Sequence, residues 1–216
     1  MNHPAPEELL LDYAAGTLAA GPALAVSLHV ALDPVARRTV ERLGALGGAL
    51  IEGEEELSLD EVLLQSALAR LDDVVVEPRP APYVPPRGFE WAPAPLARHL
   101  AGGTSWRRAF GGFEEIRLSV PGGHHRVSLL KLEPGRGLPV HRHVGAEYTV
   151  VLQGGYTDST GNYLVGDFAV GPGAAEHEPI ADPGEPCIAL IVVEQPIVLT
   201  GAVGRFLNPL VRRGLI

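Results

Sequence analysis

GRGLPVHRHVGAEYTVVLQGGYTDSTGNYLVGDFAVGPGAAEHE, residues 135–178, is the stretch whose reading decides the fold. Four of its side chains suit a divalent metal: His141, His143, Glu147 and His177. A His-x-His on a strand sends both rings to one face, because side chains alternate with period two. Glu147 has the parity of the two histidines, so it faces inward with them if residues 144–146 preserve register. His177 follows 30 residues after Glu147, beyond a turn-rich hairpin. Three imidazoles and one carboxylate form a borderline donor set that favours Zn, Fe, Mn or Ni over Ca or Mg.

Outward from this stretch the chain reads as many short strands. Residues 106–110 and 113–120 flank Gly111-Gly112, a hairpin signal. Residues 125–132 alternate Val127 and Leu129 against Leu130, and CIALIVV (187–193) reads as a buried strand. Residues 197–199 and 205–207 are expected to be strands as well. Such a run implies a sandwich or barrel. The spacing resembles the two motifs of the cupin family. Gly135, His141, His143, Glu147 and Gly154 fit the first at every position; Gly166, Pro172 and His177 fit the second. Ala174 stands where that second motif has glycine, next to Gly173, and Ala181 where it has asparagine. The resemblance implies a double-stranded β-helix barrel.

The first third has a different character. Residues 1–76 hold 13 Asp/Glu against 4 Arg, and residues 77–216 hold 13 acids against 13 Lys/Arg, so the whole net charge of −9 lies in the first third. That sign excludes nucleic-acid binding by this part and suits solubility or a basic protein partner. Helical stripes follow one another: Leu9, Leu10, Tyr13 and Ala14 up to Gly16; Leu24, Leu28 and Leu32; then Ala36, Val40 and Leu43 after the Asp33-Pro34 start signal. Gly47 and Gly48 are expected to weaken or bend the third helix. Ser58-Leu59-Asp60-Glu61 matches a capping box opening a fourth. Residues 74–96 carry seven prolines and read as an extended, semi-rigid connector.

LLLDYAAGTL (9–18) and SLHVALDPVARR (27–38) resemble the zinc-type anti-sigma domain, and the whole chain resembles the ChrR-type anti-sigma factors. The resemblance implies an α+β chain of two domains: a helical anti-sigma-type domain over 1–73, a Pro-rich linker over 74–95, and a cupin barrel over 96–216. It implies sequestration of an extracytoplasmic-function sigma factor by the helical domain, with the cupin as a metal-binding, stress-sensing module. In that family the first domain holds zinc through His…His-x3-Cys-x2-Cys. His3 and His29 suit its histidines, but its cysteines fall on Asp33 and Ala36. A site stripped of both thiolates loses most of its affinity. His3, His29 and Asp33 are therefore a weak or lost site, and zinc is expected at the cupin ligands alone, one ion per chain, with Fe, Mn or Ni as alternatives.

The competing reading is a metal-dependent cupin enzyme such as a dioxygenase, and a further one is a paralogue that no longer binds a sigma factor. No phosphate-binding loop, dinucleotide fingerprint or Ser-His-Asp motif is present. The lone Cys187 reads as inert core, His124-His125 as an exposed turn, and His99 as a surface residue. Glu176 and Glu178, flanking His177, point outward by alternation. One cysteine excludes an intrachain disulfide, and no apolar run reaches membrane-spanning length. The N-terminus shows no secretory pattern, so a cytoplasmic, non-enzymatic regulator is the expectation.

Overall fold

A computed structural model describes residues 2–58, 60–71, 83–100, 104–109, 111–171, 175–201 and 204–212. Pro172, Gly173 and Ala174, and the connector residues 72–82, lie outside the described residues. The helix that organises the first third is α2 (Ala20–Leu32), AGPALAVSLHVAL, with Leu24, Ala25, Val26, Leu28 and His29 all buried. A helix that is apolar nearly all round has to be covered on every side. Here α1 (Glu7–Ala14) and α3 (Pro34–Glu52) cover one side, and the barrel sheet covers the other. Asp33 separates α2 from α3: its Oδ1 accepts from the Val35 N–H at 2.8 Å, and Pro34 follows at the first helical position.

Two expectations for the helices change. α3 runs unbroken for 19 residues through Gly47 and Gly48. Each glycine costs on the order of 1 kcal/mol of helix propensity, an amount a long helix tolerates. The cap of α4 (Glu61–Leu71) is Asp60, whose Oδ1 accepts from the Val62 N–H at 2.8 Å, rather than Ser58. A carboxylate next to the helix start reaches the free N–H groups more directly than a serine two residues earlier.

Among the described residues the barrel has eleven strands. The large sheet takes the order β1 (Arg107–Arg108), β2 (Glu114–Leu118), β3 (Arg126–Leu132), β10 (Cys187–Val193), β5 (Glu147–Gln153), β8 (Phe168–Val170). β7 (Gly161–Leu164), β6 (Gly155–Asp158) and β9 (Ile180–Ala181) form a second sheet, and β11 (Val198–Leu199) pairs with β4 (His141–Arg142). Period-two alternation gives the large sheet two working faces. Val127, Leu129, Val150, Leu190 and Val192 face the helices and join Leu24, Val26 and Leu28 in one core. Ser128, Leu130, Thr149, Ala189 and Ile191, the residues between them, face the barrel interior.

The expected strand over 205–207 is helical instead. A 3-10 turn over Gly204–Leu207 leads into α5 (Asn208–Arg212). Asn208 ties the turn to β11, its Oδ1 accepting from the Leu199 N–H and its Nδ2 donating to the Leu199 carbonyl. Part of the Pro-rich stretch also packs rather than spacing: Phe89, Ala92 and Leu96 are buried in the core shared by helices and sheet. Among the described residues no helix is long and apolar enough to cross a membrane.

Candidate metal centre

His141 is the first residue of β4, and its backbone bridges antiparallel to His177, with N–H to carbonyl bonds of 3.2 and 3.0 Å in the two directions. Directly opposed residues of an antiparallel pair present their side chains on the same face. Both rings, and that of His143 two residues on from His141, therefore point into the barrel. The ligand atoms of the three lie within 4.8 Å of one another, and all three residues are buried. The three-histidine group can hold a metal ion. Glu147, at the start of β5, touches this group through His143: its Oε2 abuts His143 Nε2.

Hydrogen bonds fix which nitrogens face inward. His141 Nδ1 lies 2.8 Å from the Pro139 carbonyl and His177 Nδ1 lies 3.0 Å from Asp158 Oδ2, so each donates outward from Nδ1 and leaves the Nε2 lone pair free. His143 Nε2 and His177 Nε2 stand 2.9 Å apart. Two imidazole lone pairs aimed at each other repel unless a proton or a cation lies between them. His143 Nδ1 is buried without a hydrogen-bond partner, and Glu147 Oε2 has none besides its close contact with His143 Nε2. Converging imidazole nitrogens and a buried carboxylate oxygen in one pocket fit a divalent cation.

The electrostatics agree with a neutral His141 ring and an ionised Glu147 carboxylate. Burial pushes the pKa of His141 down to about 4, only partly opposed by its bond to Pro139. Burial raises Glu147, yet the contact with His143 and the charge of the three imidazoles outweigh it and leave the pKa lowered. Thr149 Oγ1 donates to Glu147 Oε1 at 3.1 Å. Gly171 makes room behind the carboxylate, since a Cβ there would stand 2.8 Å from Glu147 Cβ.

Asp158 was not visible as a functional residue in the sequence. It starts the β6–β7 turn, accepting from Thr160 N–H and Oγ1 at 2.7 and 2.6 Å, and the same carboxylate orients His177. An Asp opening Asp-Ser-Thr-Gly signals a turn; its second role exists only because β9 and the His177 segment return beside that turn. Glu176 and Glu178 are exposed. Cys187 lines the barrel wall, and burial pushes its thiol up to about 12, which leaves it unreactive at neutral pH. His99 is half-buried, its Nδ1 3.1 Å from the Ser119 carbonyl. His124 is exposed, but His125 is half-buried, and its Cβ sits 3.0 Å from where a Cβ on Gly21 of α2 would be.

Comparison with known proteins assigns the whole chain. The anti-sigma-E factor ChrR of Cereibacter sphaeroides is 34% identical over 215 residues, 98% of this chain and 99% of that protein. The chain belongs to the ChrR family. A family model described as a ChrR cupin-like domain matches residues 103–196. The crystal structure of Rhodobacter sphaeroides SigE in complex with the anti-sigma ChrR superposes with a TM-score of 0.75 at 34% identity, covering 89% of this chain and 99% of that one.

Within the ChrR framework the first third departs at the positions of its zinc motif. His29 is wholly buried, its Nδ1 donating to the Gly166 carbonyl at 2.8 Å and its Nε2 accepting from the Ala5 N–H at 3.1 Å. Both ring nitrogens are therefore engaged. His3 lies against Tyr163, ring centroids 4.3 Å apart, with Nε2 at 3.1 Å from the Asn162 carbonyl. Asp33 caps α3, and Ala36 is buried. The structure brings His29 and Asp33 near each other, Nε2 to Oδ2 at 3.8 Å, but His3 packs on Tyr163 and the three do not form a ligand group. Among the described residues only the barrel histidines form one.

Proposed function

We propose that this chain is an anti-sigma factor that sequesters an extracytoplasmic-function sigma factor through its helical part, residues 1–73, while a cupin barrel over 96–216 holds one metal ion and senses stress. The observation that carries the reading is full-length kinship to an anti-sigma-E factor combined with apolar helix surfaces left bare. Leu46, Leu50 and Ile51 on α3 are exposed, and so are Val62, Leu63, Leu68 and Leu71 on α4. Apolar surface is worth about 25 cal/mol per Å² when removed from water, so helix faces of this kind are partner-binding surfaces. The acidic balance of the first third complements a basic, DNA-gripping partner. Such a partner works beside RNA polymerase, so in this reading the chain acts in the cytoplasm, with neither nucleic acid nor membrane as its target.

The barrel metal is zinc in this reading, held by His141, His143 and His177 with Glu147 as fourth ligand. Four protein ligands close a tetrahedral site, which suits a regulatory or structural ion. With both thiolate positions replaced, the helical part carries no zinc of its own, and its packing on the sheet supplies stability instead. One observation favours the competing enzyme: the histidines open onto a cavity of about 150 Å³. Metal identity separates the two, since iron with exchangeable waters suits an oxygenase. The test mixes the purified full-length chain with the extracytoplasmic-function sigma factors of the same organism, one at a time. We expect a stable complex at micromolar concentration and loss of sigma-dependent transcription in vitro. No complex at that concentration would overturn the anti-sigma reading and leave a paralogue that binds no sigma factor.

A further inference from the structure

The cavity beside the histidines is built differently from the metal group it adjoins. Its walls are Leu130, Ala189, Ile191, Val193 and Leu199. Apart from the Tyr156 hydroxyl, the polar side chains of the wall beyond the histidines have donors engaged within it. Ser128 Oγ donates to Glu115 Oε1 at 2.6 Å, and Thr149 Oγ1 donates to Glu147. Arg126 donates to Glu115 Oε1 at 2.7 Å, so its charge is neutralised within the wall. A sugar or other polyol entering here would lose its water bonds and find little beyond the Tyr156 hydroxyl to replace them. An apolar molecule loses nothing.

The charge pattern selects the remaining feature. Arg126, Val193 and Glu147 are cross-strand neighbours in one row, so the neutralised Arg126–Glu115 pair closes the cavity about two strand spacings, roughly 10 Å, from Glu147. Arg117, the second cation on Glu115, is half exposed to solvent, so it is at the metal end that net charge meets the apolar walls. A divalent cation with three neutral imidazoles and one carboxylate leaves a single positive charge facing an apolar space. Burying an uncompensated charge is costly, and one negative charge removes the cost.

We propose that the barrel interior binds a small organic anion, a monocarboxylate on an apolar body of about six to ten heavy atoms, the size a cavity of this volume takes. The carboxylate faces His141, His143 and His177, and the body packs against Leu130, Ala189 and Ile191. This proposal rests on the reading of the three histidines as a metal centre.

The test uses the full chain loaded with zinc and verified at one ion per chain, titrated calorimetrically with benzoate, hexanoate and cyclohexanecarboxylate. At least one of these is expected to bind tenfold or more tighter than acetate, which lacks the body, and than toluene, which lacks the charge. Ala189→Leu and Leu130→Phe fill the cavity away from the ligands; they are expected to lower that affinity at least tenfold with zinc retained. A second readout does not depend on those variants folding: the 19F line of 4-fluorobenzoate is expected to broaden with the cobalt-loaded chain and not with the zinc-loaded one. No binding by any of the three acids to zinc-loaded protein, undiminished binding in a folded filled variant, or equal 19F lines with both metals each overturns the proposal. Failure to load zinc at all would instead sink the metal reading on which it rests, and neither result bears on sigma binding.

Discussion

Asp158 and Glu115 show what single carboxylates do in this barrel. Asp158 orients His177 through Nδ1, and loss of such a partner lowers metal affinity by about 10–100-fold. Asp158→Asn is therefore expected to bind zinc more weakly in a competition with a chromophoric chelator. His141→Ala or His177→Ala should bring bound metal well below one ion per chain, and unchanged metal content in either would remove the assignment. Glu115 is nearly buried, and its pKa is lowered: burial opposes this, but bonds from Ser128 and Arg126 and the charges of Arg126 and Arg117 prevail. A carboxylate depressed in the folded state stabilises the fold above its unfolded pKa and loses that contribution as pH falls through the folded one. Urea denaturation should accordingly show Glu115→Gln less stable than wild type at pH 7, with the gap closing as pH falls below about 4. A gap that stays constant or widens toward acid would contradict the sign.

At the scale of elements, α4 and α2 are opposites. α2 has no free face, whereas every residue of α4 is exposed. Leu63→Glu with Leu68→Glu should leave the thermal midpoint of the free chain unchanged, because neither side chain is buried. The same pair should weaken sigma binding at least tenfold, since burying one leucine contributes about 1.5–3 kcal/mol. Equal affinity for double variant and wild type would exclude α4 from the interface. On α2, His29→Ala would leave the Gly166 carbonyl and the Ala5 N–H unpaired in the interior. Each orphaned group costs about 1–3 kcal/mol. Chemical denaturation should show this variant among the least stable single substitutions in the chain.

For the whole molecule, the helices and the barrel share one core. Leu24 and Leu28 lie in the same cluster as Leu129 and Leu190, and the N-terminal segment is tied to the barrel where Asn2 and His3 N–H groups donate to Asp167 Oδ1 at 2.9 and 3.1 Å. Elements that bury each other's apolar surface unfold together. Calorimetry should show one transition for α1–α3 and barrel, and chelation should shift it as a whole, because metal bound only to the native state stabilises all of it. Two separated transitions would show that head and barrel are independent.

The sequence by itself determined the classes of structure and the three histidines that the barrel gathers. Helical stripes, the His-x-His parity and the cupin spacing are local patterns, and chain geometry translates them directly into faces. It did not determine that Asp158 orients His177, that α3 passes through two glycines, or that the last segment is helical. Those outcomes depend on which distant residues arrive beside them. Nor did the zinc motif's lost cysteines announce what replaced them. Only the tertiary structure decided that His29 would bridge Gly166 and Ala5, because a buried ring nitrogen takes whatever polar partner the packing of two distant segments delivers to it.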